Sequence, residues 1–367
     1  MARNALVLTK LKFLFTLAFY ILPHATIRIP RAVIRAWLKR LPLAPAIWNG
    51  FAGTLMAETP PDQMQAILPS TFDAYTAWVA ARGIPRTVDV LAVDNATRLL
   101  WMGPREARKV LLFFHGGGYV MPLSEGHLQW LAHIRKEAAN AGVQLSVCIL
   151  EYGLVPTNPY PRQMMQAIFA LKHLLSSGRH PSDIIIGGDS AGGHLSLSVM
   201  AHLHHNRPFG SEADTSLNLQ TPVKGCFLVS PLASFDSTAS SYRRWFSADV
   251  LGRKVVDKCG HWLIQNSPWH QDIKAGHAWG MALDVPDSWW DGFKAVDNIL
   301  VTGGYEEVFS DHVQQLGAML KRKSCGNVAL HMANEAHDGP LMDFAAGRPA
   351  SETTDVITDF VIDCFKQ

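Results

Sequence analysis

The sequence predicts an α/β fold: an eight-stranded, mostly parallel sheet with helices on both faces and a helical cap. Three observations predict it. Beyond residue 85, short apolar runs alternate with helical stretches, a pattern that calls for a parallel sheet covered on both sides. At 367 residues and 48% hydrophobic, the chain can bury one large core plus an accessory layer. Third, the apolar run Ile184-Ile185-Ile186 leads into Gly188-Asp189-Ser190-Ala191-Gly192, which reads as a buried strand, a sharp turn and a helix starting near Ala191.

The runs 86–92, 98–103, 110–114, 143–151, 183–187, 223–229, 297–302 and 327–332 are expected as strands. A short polar connection makes the first two an expected antiparallel edge pair. Helical patterns occupy 125–141, 162–177, 191–205, 311–322 and 353–365. Residues 1–84 are expected to hold a basic amphipathic segment and cap helices, and 85–367 the main domain, with a cap insertion at about 233–292. That insertion carries Trp245, Trp262, Trp269, Trp279, Trp289 and Trp290, six of the eleven tryptophans. Two uses are open to them: lining an apolar pocket, or packing the cap onto the core.

The turn around Ser190 carries the chemistry. A G-x-S-x-G elbow presents the middle hydroxyl in a strained, exposed position, and a Cβ on either flank would clash with the adjoining strand and helix. The strand Val110–Phe114 leads into His115-Gly116-Gly117-Gly118, where consecutive glycines can turn amides toward one oxyanion. The donors are assigned to Gly116, Gly117 and Ala191. A serine nucleophile needs a base and an orienting acid in the order Ser, Asp/Glu, His. His337 is the last histidine and follows the expected strand 327–332. The acid should follow 297–302, where Glu306, Glu307 and Asp311 all qualify, and periodicity does not choose among them.

HGGG, GDSAGG and Glu151-Tyr152-Gly153-Leu154-Val155-Pro156 followed by Pro159-Tyr160-Pro161 resemble the hormone-sensitive-lipase group of α/β-hydrolases over roughly residues 85–365. The likeness is nearest to fungal steryl acetyl hydrolases and secondary-metabolite hydrolases. In that group the acid opens an acidic-x-Leu-Arg-Asp motif, which falls on Glu307-Val308-Phe309-Ser310-Asp311. The resemblance therefore implies Glu307 as the triad acid, with Asp311 in reserve, and a cap built from 233–292 and the N-terminal helices. Phe309, Ser310 and Gly153 stand where Leu, Arg and often Arg are usual.

The mechanism expected from these roles is attack by Ser190 on an ester carbonyl, proton transfer through His337, and release of the acyl group by water. No metal or diffusible cofactor is expected. His204-His205, with His202 close by, lacks Cys or carboxylate partners at ligand spacing and reads as solvated surface.

Charge is distributed unevenly. No Asp or Glu precedes Glu58, while Arg3, Lys10, Lys12, Arg28, Arg31, Arg35, Lys39 and Arg40 give the start of the chain +8 against +2 overall. Phe13–Leu22 is apolar but short for a bilayer span, and 27–41 mixes apolar and basic residues as an interfacial helix would. Residues 1–41 are expected on a membrane surface, the endoplasmic reticulum included, with a soluble cap helix or a signal segment as alternatives. The cytoplasm is the other location considered. Interleaving with apolar residues argues against nucleic acid as a partner. Cys148, Cys226, Cys259, Cys325 and Cys364 are widely spaced, and Cys148 and Cys226 read as core fillers. One sequon, Asn95-Ala96-Thr97, falls in an expected turn.

The leading functional expectation is a serine hydrolase that cleaves short-acyl, notably acetyl, esters of a lipophilic alcohol such as a sterol or secondary metabolite. The alternatives are a biosynthetic hydrolase catalysing cyclisation, lactone chemistry or acyl transfer, and a non-enzymatic ligand-binding member.

Overall fold

One sheet of eight strands organises the described residues, which are 2–94, 96–209, 215–243 and 248–366 of the computed structural model. The strands are β1 (Thr87–Val90), β2 (Arg98–Met102), β3 (Lys109–Phe114), β4 (Leu145–Glu151), β5 (Ile184–Asp189), β6 (Val223–Val229), β7 (Val296–Gly304) and β8 (Asn327–Ala333). They lie in the order β1-β2-β4-β3-β5-β6-β7-β8. β2 is antiparallel to both β1 and β4, and all other pairings are parallel. The expected edge pair is present. The sequon's Asn95 lies outside the described residues.

Alternation along the central strands builds two cores. Leu112, Phe114, Ile184, Ile186, Leu228 and Val301 face one layer of helices, and Leu111, Phe113, Ile185, Phe227, Val229 and Leu300 face the other. Cys148 and Cys226 are fully buried within the sheet.

Strand order brings distant segments together. β3 and β5 are neighbours although β4 intervenes in sequence, so the loops leaving their carboxyl ends, at His115 and Ser190, meet. β7 and β8 are neighbours too, and the segments after them carry Glu307 and His337. β6 joins the two pairs: Ser190 N donates to Val229 O, and Ser230 N to Thr302 O, both at 2.8 Å. The crevice beyond the carboxyl ends of a parallel sheet is where such folds place their ligands.

Five helices precede the sheet: α1 (Ala2–Thr16), α2 (Leu22–Lys39), α3 (Leu43–Glu58), α4 (Pro61–Ile67) and α5 (Thr71–Ala81). A π-helical turn, Leu17–Ile21, joins α1 to α2 without a break in helical backbone. The apolar run 13–22 is therefore part of a much longer helix. Among the described residues, Asn4–Lys39 is long and apolar enough to cross a membrane by length and composition.

The orientation of α2 departs from the expected interfacial helix. Its inward face carries Ala25, Ala32 and Ala36 together with Arg28 and Arg35, while Ile27, Ile34, Trp37 and Leu38 are exposed. Small residues explain the close packing on α3, where a Cβ at Gly50 would stand 3.0 Å from the Ile29 Cα. Buried partners explain the inward cations: Arg35 Nη2 lies 2.7 Å from Glu306, and Arg28 Nη2 donates to the Val250 carbonyl at 2.9 Å.

The remaining helices are α6 (Glu125–Asn140), α7 (Arg162–Ser176), α8 (Ala191–His204), α9 (Arg253–Ile264), α10 (Trp269–Lys274), α11 (Ser310–Lys323), α12 (Gly339–Ala345) and α13 (Glu352–Lys366). The segment between β6 and β7 holds α9 and α10. It meets α3 through Asn49 Nδ2 on Ala248 O at 3.0 Å and Lys254 Nζ on Glu58 at 2.7 Å.

Candidate active site

Ser190 sits between β5 and α8 at φ 50° and ψ −114°, a backbone conformation that costs energy for a residue with a Cβ and persists only where its surroundings enforce it. The enforcement comes from glycine. A Cβ at Gly192 would overlap the Phe114 carbonyl, and one at Gly188 would overlap the Gly192 backbone. The elbow therefore closes only with glycine on both flanks.

Three side chains converge there. His337 Nε2 lies 2.8 Å from Ser190 Oγ, and His337 Nδ1 lies 2.7 Å from Glu307 Oε2. All three are buried. With Nδ1–H donating to the carboxylate, Nε2 is left to accept the serine proton. Glu307 Oε1 accepts from Gly304 N at 3.1 Å, and a Cβ at Gly303 would crowd that same oxygen at 2.6 Å. Asp311 is not brought to His337. Its Oδ2 accepts from Ser240 Oγ at 2.7 Å and Ser241 N at 2.9 Å, so it anchors the segment after β6 to the start of α11. Phe309, which departs from the resembled motif, sets its ring edge-on to the imidazole with centroids 5.1 Å apart.

The oxyanion loop requires a correction. The amide of Gly116 donates to Asp189 Oδ1 at 3.0 Å, so it is already engaged rather than open to a substrate oxygen. Gly117 and Gly118, at φ 95° and 62°, turn the chain back and line the pocket beside Ser190 and Ala191. No acceptor within the described residues takes the amides of Gly117, Gly118 or Ala191. Gly116 is thus engaged elsewhere, while Gly118 sits beside Gly117 with its amide unpaired among the described residues. Pattern reading missed this because a run of identical glycines does not show which amide the preceding strand turns inward.

Asp189 was also missed as a functional group. Buried between the two loops, it holds Gly116 N through Oδ1 and meets His127 Nε2 through Oδ2 at 3.2 Å. His115 stacks on Tyr152 at 4.4 Å between centroids, and Tyr152 Oη donates to His115 O at 2.6 Å. Burial, with His127 beside it, holds the His115 imidazole down at about 4, so this ring is a neutral spacer.

Asp338 is a second carboxylate on the base. Its Oδ2 lies 3.1 Å from His337 Nε2, the nitrogen that faces Ser190. Burial raises the Asp338 carboxyl to about 7. Burial opposes charging of His337, yet Asp338 and Glu307 together outweigh it and hold the imidazole well above its ordinary value. The only sequence signal for Asp338 was its adjacency to His337.

A pocket of about 710 Å³ opens above Ser190. Its apolar walls come from α3 and α4 (Ala52, Leu55, Met56, Met64) and from the segment after β6 (Phe235, Val250, Val256, Leu263). None of Trp262, Trp269, Trp279, Trp289 and Trp290 lines it, and Trp245 lies outside the described residues. Trp269 and Trp290 instead bind their own region together through indole N–H donation to Gly280 O and Ala282 O, and Trp279 ties it to the end of α8 through His205 O. The pocket's tryptophans are Trp48 and Trp78. Of the histidines expected on the surface, His205 is exposed, but His202 and His204 are not. His202 is fully buried on Thr215 O at 2.9 Å, and half-buried His204 meets Trp289 O at 3.0 Å.

An elbow serine on β5, an acid after β7 and a histidine after β8 over a mostly parallel sheet define an α/β hydrolase. The chain belongs to that family: its profile, described as alpha/beta hydrolase fold, matches residues 111–339. Curated relatives include human hormone-sensitive lipase, 33% identical over 27% of this chain and 10% of that protein. An acetyl-hydrolase of Streptomyces hygroscopicus is 32% identical over 31% of this chain and 37% of that protein. A Mycobacterium tuberculosis carboxylesterase, NlhH, is 30% identical over 47% and 50%. The matches thus span half or less of these relatives' own lengths. Among solved structures, an esterase/lipase from an uncultured bacterium superposes with TM-score 0.61 at 20% identity, over 86% of this chain and 97% of that one. Carboxyl esterase 2 from the fungus Tuber melanosporum gives 0.60 at 17% identity, over 76% and 85%. At such identities the likeness to solved structures concerns the fold.

Proposed function

We propose that this protein is a carboxylic-ester hydrolase that works through an acyl-enzyme on Ser190 and takes short-acyl esters of a lipophilic alcohol. The observation that carries the proposal is the hydrogen-bonded relay Glu307–His337–Ser190 at the floor of a largely apolar pocket. Ser190 Oγ attacks the ester carbonyl as its proton passes to His337 Nε2, and Glu307 stabilises the imidazolium. The amides of Gly117, Gly118 and Ala191 receive the oxyanion. His337 returns the proton to the leaving alkoxide. Water, deprotonated by the same nitrogen, then attacks the acyl carbonyl, and Ser190 leaves with the proton.

The N-terminal helices and residues 233–292 act together as the cap that shapes the alcohol site, since both supply its apolar walls. The exposed apolar face of α1 and α2 supports association with a membrane surface: Leu11, Leu14, Phe15, Phe19, Ile34 and Trp37 are each close to half exposed or more. A lipophilic substrate fits such a location. Similarity to an acetyl-hydrolase supports the short acyl group, and a sterol or secondary metabolite is the class of alcohol proposed.

The test is hydrolysis of p-nitrophenyl acetate, butyrate and decanoate by the protein and its Ser190→Ala variant. Turnover that needs Ser190 and declines with chain length is the expected result. Turnover that survives Ser190→Ala refutes the mechanism. Fluorophosphonate labelling of Ser190 without turnover of any ester would favour acyl transfer or cyclisation over hydrolysis.

A further inference from the structure

We infer that Arg28 and Arg35, on the inward face of α2, are positioning residues for the acid Glu307. The inference rests on the proposed roles of Ser190, His337 and Glu307.

Glu307 sits in a short irregular segment between β7 and α11, whose backbone is tied to the end of β8 only through Tyr305 N on Ala333 O at 2.8 Å and Glu306 N on Glu335 O at 3.0 Å among the described residues. Both of its chain neighbours are tied to α2, Glu306 directly and Val308 through Asp249. On one side, Glu306 is buried and its Oε2 receives Arg35 Nε at 2.9 Å and Nη2 at 2.7 Å. Lys39 Nζ, one turn further along α2, reaches Glu306 Oε1 at 3.2 Å. On the other side, Val308 N donates to Asp249 Oδ2 at 2.7 Å. Asp249 is fixed in turn, because Arg28 Nη2 gathers the carbonyls of Asp249, Val250 and Leu251 at 3.4, 2.9 and 3.3 Å. Glycine at 53 keeps this path open, since a Cβ there would overlap both the Arg28 guanidinium and the Val250 carbonyl.

Two cations from one helix thus bracket the acid, one through a side chain and one through a strap of backbone. Removing a cation from a buried carboxylate such as Glu306 leaves a poorly compensated charge, so the two-donor Arg35 pair holds that segment in place. The 2.7 Å contact between Glu307 and His337 depends on that arrangement, because small misplacements in a catalytic relay lower rate more than they lower stability. The inward turn of the α2 cations acquires a purpose: they address the catalytic segment, and the apolar residues are left outside.

The experiment measures kcat and KM for a p-nitrophenyl ester, with kcat normalised to Ser190 titrated by a fluorophosphonate. Arg35→Ala, Glu306→Gln and Arg28→Ala are expected to lower kcat per titrated site roughly 10- to 100-fold while KM stays within a few-fold. Arg35→Lys should recover most of the rate, since an ammonium retains the pair. The Arg35→Ala/Glu306→Gln double variant should be no slower than the worse single one, as for two residues acting through one contact. Should Arg28→Ala fail to fold, Arg35→Lys against Arg35→Ala decides the question alone. Unchanged kcat per titrated site, or a loss confined to KM or melting temperature, overturns the inference. Failure of the underlying hydrolase reading is distinguishable, because the wild-type protein would then turn over no ester, whether or not Ser190 is labelled.

Discussion

Replacing Asp338 with asparagine tests the electrostatics of the base directly. The substitution keeps the size of the side chain, tolerates the left-handed φ of 54° and leaves the donation from residue 338 N to Ser230 Oγ in place. What it removes is a carboxylate 3.1 Å from His337 Nε2. At that distance, with an effective dielectric near 20, a full charge would favour the imidazolium by about 5 kcal/mol. The Asp338 carboxyl is itself raised to about 7 by burial, so it is only partly ionised at neutral pH and the working effect is smaller. We expect the acid limb of kcat/KM to move to lower pH. The sign follows from the role of the base. His337 acts when neutral, and an anion beside Nε2 favours its charged form, so wild-type activity should rise only above the ordinary imidazole range. Without that anion, activity should appear at lower pH. Glu307 stays in both proteins, which makes the difference a property of position 338. The assay is kcat/KM on a soluble short-chain ester between pH 5 and 10, corrected for spontaneous hydrolysis. A limb that stays in place, or moves upward, would refute the reasoning.

Five further outcomes are expected. Glu307→Gln should lower kcat roughly 10³–10⁴-fold, because a neutral amide neither fixes the tautomer nor stabilises the imidazolium. Asp311→Asn should spare most activity in the same steady-state assay, since Asp311 holds Ser240 and Ser241 rather than the base. Asp189→Ala strips an acceptor from the Gly116 amide and from His127, and should cost roughly tenfold or more in kcat with the covalent labelling of Ser190 slowed alongside. Gly192→Ala drives a methyl into the Phe114 carbonyl, and calorimetry should find it destabilised by about 3 kcal/mol if it folds at all. Aspartates at Ile34 and Trp37 should abolish co-sedimentation with phospholipid vesicles while hydrolysis of a water-soluble ester persists; unaltered sedimentation would remove the membrane from the proposal.

Much of this molecule was legible in the chain because the relevant signals are local. Short apolar runs separated by helical stretches located every strand of the sheet, and the glycine pair around Ser190 announced a turn that only glycine permits. His337 was legible because it follows the last strand. Three matters were not local: periodicity left them open, a family resemblance pointed to Glu307 for the first, and the tertiary structure shows how each is arranged. The choice among Glu306, Glu307 and Asp311 turned on which carboxylate the loop after β7 aims at β8, and they aim at Arg35, His337 and Ser240 respectively. The choice among the glycines of HGGG turned on Asp189, a residue 73 positions away that captures the first amide. The direction of the N-terminal charges turned on buried partners in two distant segments. A sequence fixes which side chains exist and how each is spaced along its own helix or strand. Which donor meets which acceptor depends on the order in which strands lie side by side, and that order is set by packing across the whole chain.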